Sequence, residues 1–201
     1  MPLETALALM GFAFVMSISP GPGNFLLLAS GANFGFLRSV PLVLGISGGF
    51  LTMVLLVGLG LGQVLQAVPE LYTALKFVCA AYVLWLAWKI ARSRAIAPEG
   101  PAAMAQPIGF LQAALFQLVN PKAWAVALIV TVSYTSPDDY FLSLVLMIAL
   151  FALVNLPAIS VWAVSGAALR GVLAKDNRIA VFNITMAVLL VASMALVLRP
   201  S

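Results

Sequence analysis

The chain has 201 residues, of which 64% are hydrophobic and 8% charged, with a formal net charge of +4 at pH 7. A soluble domain of this length cannot bury so much apolar surface, so soluble and nucleic-acid-binding functions are excluded and a membrane protein is indicated. One cysteine and no histidine exclude an internal disulfide and remove the usual soft metal ligands. We therefore predict no metal site and no cofactor.

Apolar runs recur along the whole chain, each near or above the ~20 residues that cross a ~30 Å hydrocarbon core as a helix. They predict six transmembrane helices, so the expected fold class is an all-α integral membrane protein. Glu4 and the absence of Lys or Arg before the first run indicate a retained span rather than a signal peptide. The six runs are Leu3–Ser30, Val40–Gly62, Leu71–Ile90, Phe110–Tyr134, Phe141–Ala168 and Ile179–Leu198.

The basic residues predict the orientation of these spans. The connections after spans one, three and five carry Arg38, Lys89, Arg92, Arg94, Arg170, Lys175 and Arg178, and the opposite side has Lys76 and Arg199. Because Lys and Arg accumulate in cytoplasmic loops, the odd-numbered connections are predicted in the cytoplasm and both termini outside. Trp85 and Trp88 are typical of an interfacial anchor on that side.

A proline- and alanine-rich stretch, "RSRAIAPEGPAAMAQP", is the one plausible linker. It predicts a first three-helix repeat at 1–92, a cytoplasmic linker at 93–108 and a second three-helix repeat at 109–201. The first span of each half is interrupted, by "SPGPGN" in one and "VNPKAW" in the other. Since each half holds an odd number of spans, the two copies would face opposite ways, as a 3+3 inverted repeat with broken first and fourth helices.

The two interruptions predict a substrate site. Pro20, Gly21 and Pro22 in the first and Pro121 in the second should leave backbone groups unpaired at membrane depth. Such breaks persist only where protein, water or substrate satisfies those groups. A simple proline kink is the alternative. A kink explains a single proline, but it explains a matched pair of breaks less well.

Lys122 is the strongest single signal for a binding function. It lies some twelve residues from either end of its span, about 18 Å at 1.5 Å per residue, too far for its side chain to reach the surface. Every Asp and Glu falls at a span end or in a connection. An anionic group on the cargo, such as a carboxylate, is therefore the expected partner; bonding to carbonyls freed by the breaks is the structural alternative.

Four neutral amides complete the predicted substrate-binding set with Lys122. Gln117 and Asn120 share a helix face beside Lys122, Asn24 belongs to the first break, and Asn155 lies deep in span five. Amides can bond both a carboxylate and an ammonium. Such residues also bond neighbouring helices, which is an equal alternative for Asn155. Asn183 lies near a span end and is predicted to be interfacial.

Three glycine pairs have the GxxxG spacing that brings helices close together: Gly31 with Gly35, Gly45 with Gly49, and Gly58 with Gly62. Packing within the monomer is the simpler interpretation, and a homodimer face is the alternative. Cys79 and the helix-period aromatics are interpreted as packing residues.

Several of these stretches resemble the LysE/RhtB amino-acid exporter family. They are "SPGPGNFLLLASGANFGFLRSVPLVLGISGGF", "AAYVLWLAWKIARS" and "FQLVNPKAW". Within the family, the second stretch is most similar to the exporters of cysteine and O-acetylserine. Many members have Asn-Asn after Pro-Gly-Pro, whereas here Gly23 precedes Asn24. The resemblance implies amino-acid export across a bacterial inner membrane and no enzymatic chemistry.

The predicted function is therefore a secondary transporter that exports amino acids or close derivatives, with cargo between the broken helices. Its carboxylate is expected near Lys122 and its ammonium near Asn24 and Asn120. Proton coupling through Lys122 and uncoupled efflux both remain open. An ion or small-solute channel is the alternative, although no ring of pore-lining charges is visible. A membrane enzyme would need a nucleophile and base or a metal triad, which the sequence does not offer.

Overall fold

The computed structural model describes residues 1–61, 69–92, 106–173 and 178–198. Over these residues the chain forms eight α-helices with defined bounds and no strand, which confirms the all-helical fold class. Numbered in chain order, they are α1 Leu3–Ile18, α2 Pro22–Phe34, α3 Phe36–Gly58, α4 Pro69–Ala91, α5 Phe110–Leu118, α6 Pro121–Tyr134, α7 Tyr140–Leu173 and α8 Arg178–Leu198.

The helices are those of a multi-pass membrane protein. Within the described ranges, α3 and α7 are each long and apolar enough to span a bilayer. Two bent pairs, α1 with α2 and α5 with α6, also qualify when each pair is counted as one span. This gives two to four spans directly. The α4 and α8 helices add shorter apolar stretches, Ala81–Ala91 and Arg178–Ala192, so the count of six stays a prediction.

Proline chemistry positions both helix interruptions. Ser19 precedes Pro20 in an extended conformation, with φ −66° and ψ 143°, which ends α1. Pro22 and Pro121 are each the first residue of the next helix, where the missing N–H costs nothing. The chain bends by 57° at the first break and by 70° at the second.

The helix bounds differ from the apolar runs at two places. A single residue, Gly35 at φ 81°, connects α2 to α3, so α3 begins at Phe36 rather than near Val40. The α7 helix continues to Leu173 and has 34 residues, about 51 Å at 1.5 Å per residue. The difference arises because hydropathy marks the part of a helix that lies in lipid, whereas the hydrogen-bonded helix can continue beyond the lipid boundary.

Two helices organise the packing. The α7 helix packs along α1, α2 and α3, while α3 packs along α5 and α6, and α4 packs along α8. The buried side chains form two apolar clusters, one around Leu26, Leu86 and Phe116 and the other around Met53 and Phe151. We call them the first and the second apolar cluster.

Glycine permits the closest helix contacts. A Cβ atom at Gly31 on α2 would collide with the carbonyl oxygen of Ala163 on α7, and one at Gly166 on α7 would collide with the carbonyl oxygen of Leu28. On α3, a Cβ at Gly49 would lie 2.6 Å from the carbonyl oxygen of Ala114. These glycines therefore pack helices within the chain, as predicted for Gly31, Gly45 and Gly49; Gly62 lies outside the described residues.

The prediction that Asn183 is interfacial is wrong. Its side chain has no exposed surface and exchanges two hydrogen bonds with Asn33 on α2, at 2.7 and 3.0 Å. Asn33 also donates to the carbonyl oxygen of Ala29 at 2.7 Å. The distance of Asn183 from the end of its apolar run did not reveal that α2 packs over it.

Gly166→Ala tests the close contact between α2 and α7. The added methyl group would meet the backbone of Leu28, so we expect a loss of about 1–3 kcal/mol of stability. Gly171→Ala is the matched control, because no heavy atom lies within 4 Å of a Cβ there. In detergent, thermal unfolding should shift downward for Gly166→Ala only; equal midpoints for the two variants would contradict the contact.

Candidate functional site

A cavity of about 60 Å³ lies where the two helix breaks meet. A buried water needs ~10–15 Å³ of cavity, so this one has room for a small solute. All five predicted binding side chains line it: Asn24, Gln117, Asn120, Lys122 and Asn155. Of the break residues, Gly21 also lines the cavity, Pro22 is buried, Pro121 is half-buried and Pro20 is exposed.

Lys122 connects the two breaks. Its ammonium, Nζ, donates to the carbonyl oxygen of Ser19 at 2.7 Å and contacts Ser19 Oγ at 2.8 Å. The lysine stem crosses Gly21, where a Cβ atom would lie 2.9 Å from Lys122 Cδ. An ammonium has three N–H donors. Two are directed at Ser19, and the third has no partner among the residues that the structure describes.

Asn24, at the start of α2, forms hydrogen bonds to the end of α1. Its Nδ2 donates to the carbonyl oxygens of Ser17 and Ser19, each at 2.8 Å. Two further donors complete the end of the helix. Ser19 Oγ donates to the carbonyl oxygen of Met16 at 3.2 Å, and Trp162 Nε1 donates to that of Ile18 at 3.2 Å. The carbonyls freed by "SPGPGN" are therefore satisfied by side chains.

The second break is capped largely by its own residues. Asn120 Oδ1 accepts a hydrogen bond from the backbone N–H of Lys122 at 3.2 Å, which caps α6. Asn120 Nδ2 donates to Gln117 Oε1 at 3.1 Å, and Trp124 Nε1 donates to the carbonyl oxygen of Leu118 at 2.8 Å. The start of α6 thus has its donors engaged within the chain.

The start of α2 is different, because no side chain caps it. The first α2 amide that finds an acceptor within the chain is that of Phe25, which donates to the carbonyl oxygen of Gly21 at 3.0 Å. Gly23 and Asn24 precede it, are buried and line the cavity. Their amides and the positive end of the helix dipole are therefore available to an anionic group.

The cavity combines one positive charge with neutral polar groups. Among the described residues that line it, Lys122 is the one ionisable side chain, and no Asp or Glu is present. Apolar walls come from both apolar clusters, with Ile46 and Ile159 of the first and Phe50 and Phe151 of the second. The rings of Phe50 and Phe151 lie 4.9 Å apart between centroids.

Sequence reasoning missed Ser17 and Ser19, which accept or bridge most of the side-chain bonds at the site. A signal existed, because both serines lie within three residues of Pro20 at mid-span. Ile46 and Phe50, which form part of the apolar wall, carry no such signal. The sequence alone does not distinguish them from the other apolar residues of α3, which do not line the cavity.

The pattern of the LysE type translocator family matches residues 14–199. This chain belongs to the LysE family. It is 34% identical over 157 residues to the cysteine/O-acetylserine efflux protein of Salmonella choleraesuis strain SC-B67, covering 77% of this chain and 78% of the relative. It is 31% identical over 182 residues to the protein of the same description from Escherichia coli K12, covering 90% of each. No solved structure matches.

Membership of the LysE family confirms the resemblance to that family that the two break motifs and the end of span three showed in the sequence. It also agrees with the apolar helices in making this LysE-type protein a multi-pass membrane transporter, and it supports amino-acid export.

Asn24→Leu tests the connection between the breaks. Leucine has a similar volume but no donors, so two carbonyls at the end of α1 lose a partner. We expect a loss of about 1–3 kcal/mol, seen as a lower unfolding midpoint in detergent. Thr185→Val, which removes an exposed hydroxyl bonded to Val181, should leave the midpoint unchanged. Equal midpoints for both variants would show that Asn24 does not hold the break.

Proposed function

We propose that this LysE-type protein is a secondary transporter that exports amino acids or close derivatives across the bacterial inner membrane. Its cargo binds in the cavity between the two broken helices. The observation that carries the proposal is that Lys122 and the uncapped start of α2 line the same cavity, where a Cβ at Gly21 would lie 3.3 Å from Lys122 Nζ.

A carboxylate is the cargo group that this wall suits. Lys122 Nζ has a third N–H, and the amides of Gly23 and Asn24 have no acceptor within α2. These three donors, one of them charged, belong to residues that line one cavity, and a carboxylate has the acceptor capacity for all of them. Gly23 has no side chain, so an anion can approach the backbone closely.

The names of the relatives suggest the first cargoes to test. Both relatives described above are cysteine/O-acetylserine efflux proteins. A cavity of about 60 Å³ is small, which favours small amino acids over aromatic or basic ones. Cysteine and O-acetylserine are therefore the proposed cargo class.

Alternating access supplies the transport mechanism. We propose six spans in a 3+3 inverted repeat, 1–92 and 109–201, joined by a cytoplasmic linker at 93–108, with both termini outside. The packing supports this arrangement: α1 packs on α7 as α5 packs on α3, and α2 packs on α7 as α6 packs on α3. The halves would rock about the cavity, with one apolar cluster closing on each side.

The first experiment measures transport in liposomes that contain the purified protein. Labelled cysteine and O-acetylserine should be taken up with saturation, and Lys122→Gln should reduce the initial rate by about 10-fold or more, because one charged hydrogen bond is lost. Lys89→Gln is the matched control, since Lys89 lies over the Trp85 ring, 5.4 Å from its centroid, and outside this cavity.

Transport that survives in folded Lys122→Gln would contradict the proposed anchor and make Lys122 a purely structural residue. Flux that rises linearly without saturation would favour the channel alternative. Loss of transport in Lys89→Gln as well would show that the effect of the substitution is not specific to the cavity.

For proton-coupled transport, we propose that Lys122 binds and releases the exchanged proton. It is the one ionisable group among the described residues that line the cavity. Cargo gradients should then run down at different rates with and without a proton gradient. Lys122→Arg keeps the charge but cannot release the proton, so its rates should not respond to the gradient. Identical run-down in the unmodified protein would exclude exchange and leave facilitated efflux.

A further inference from the structure

Asn155 holds an unused hydrogen-bond acceptor in the wall of the cavity. The residue lies near the middle of α7 and is 6% exposed. Its Nδ2 donates to Ser17 Oγ at 2.8 Å, which fixes the orientation of the amide. Its Oδ1 is fully buried and accepts no hydrogen bond from any described residue.

The other amides of the cavity are engaged differently. Asn24 uses its Nδ2 on two carbonyls, and Asn120 uses both its Nδ2 and its Oδ1. A buried polar atom without a partner costs free energy, and the surrounding hydrocarbon cannot supply that partner. Because Asn155 lines the cavity, its unpaired acceptor points to a donor that arrives with the ligand.

An ammonium is the donor that fits this position. It offers three N–H groups and no acceptor, so it requires acceptor atoms around it. No carboxylate lines the described cavity, so the acceptor is a neutral oxygen, and Asn155 Oδ1 is the buried one without a partner. Ser17, to which Asn155 is bonded, lies in the last turn of α1, where the negative end of the helix dipole favours a positive charge.

The donor and the acceptor are anchored on one short segment of the chain. Ser19 holds Lys122 and Ser17 holds Asn155, so the donor and the acceptor are attached two residues apart on the same chain segment. Two residues span at most about 7 Å between Cα atoms. Lys122 and Asn155 are thus both held at the end of α1, in the lining of one cavity.

We propose that Asn155 Oδ1 accepts a hydrogen bond from the cargo's α-ammonium, so that the site selects free α-amino acids over analogues without an amino group. The inference rests on the proposed export function and goes further, because it assigns the ammonium to Asn155. The expectation from sequence placed it near Asn24 and Asn120; of these, Asn120 already uses its Oδ1 to accept the backbone N–H of Lys122.

The test compares cysteine with 3-mercaptopropionate, which keeps the carboxylate and the thiol but lacks the amino group. Each compound competes with labelled cysteine for uptake into liposomes. The unmodified protein should prefer cysteine by about 10- to 100-fold, the worth of one hydrogen bond to a charged group. Asn155→Leu should bring that ratio near one, mainly by weakening cysteine.

Two further variants make the result decisive. Ser160→Ala, on the same helix, removes a hydroxyl bonded to the carbonyl oxygen of Leu156 and should keep the original ratio. Asn155→Asp keeps the acceptor and adds a negative charge, so it should raise the preference for cysteine several-fold, which tests the proposal even if Asn155→Leu does not fold.

An unchanged ratio in either Asn155 variant would overturn the inference and leave the export function intact. In that case the open oxygen serves a bound water. Absence of saturable uptake of cysteine and O-acetylserine by the unmodified protein would instead contradict the proposed function itself.

Discussion

The constraint on which this structure depends is that backbone carbonyls and amides cannot stay unpaired at membrane depth. The first break frees the carbonyls at the end of α1, and the protein satisfies them with side chains from α2, α6 and α7. Those three helices are thereby brought to one point. The cavity exists because the donors that satisfy the break must converge on it.

The two breaks solve the same problem unequally. Asn120 caps the start of α6, whereas no side chain caps the start of α2. At the first break, the carbonyl groups at the end of α1 therefore have hydrogen-bond partners, whereas the first amide groups of α2 have none within the described residues. Lys122 takes part in both, because it bonds Ser19 and still has an N–H directed elsewhere. The structural and the substrate-binding interpretations of this lysine are therefore compatible within one geometry.

Close packing around the cavity gives the site its rigidity on one side and its freedom on the other. Gly31 and Gly166 let α2 and α7 approach to backbone contact, so the walls that carry Asn24 and Asn155 are held together. The second apolar cluster meets the cavity through larger side chains, including Phe50 and Phe151, which can change rotamer or separate without breaking hydrogen bonds. Hydrogen bonds therefore fix one side of the site, and apolar contacts alone close the other.

The sequence by itself determined the membrane class, the all-helical fold, the positions of both breaks and the five polar side chains that line one cavity. Hydropathy, proline chemistry and the cost of a buried charge act locally, so they can be read from a single chain. Only the tertiary structure decided which acceptors Lys122 and Asn24 use, that Asn183 pairs with Asn33, and that Asn155 keeps an open oxygen. Those outcomes depend on which helices pack together, and in a chain this uniformly apolar many pairings bury similar surface, so hydropathy cannot distinguish between them.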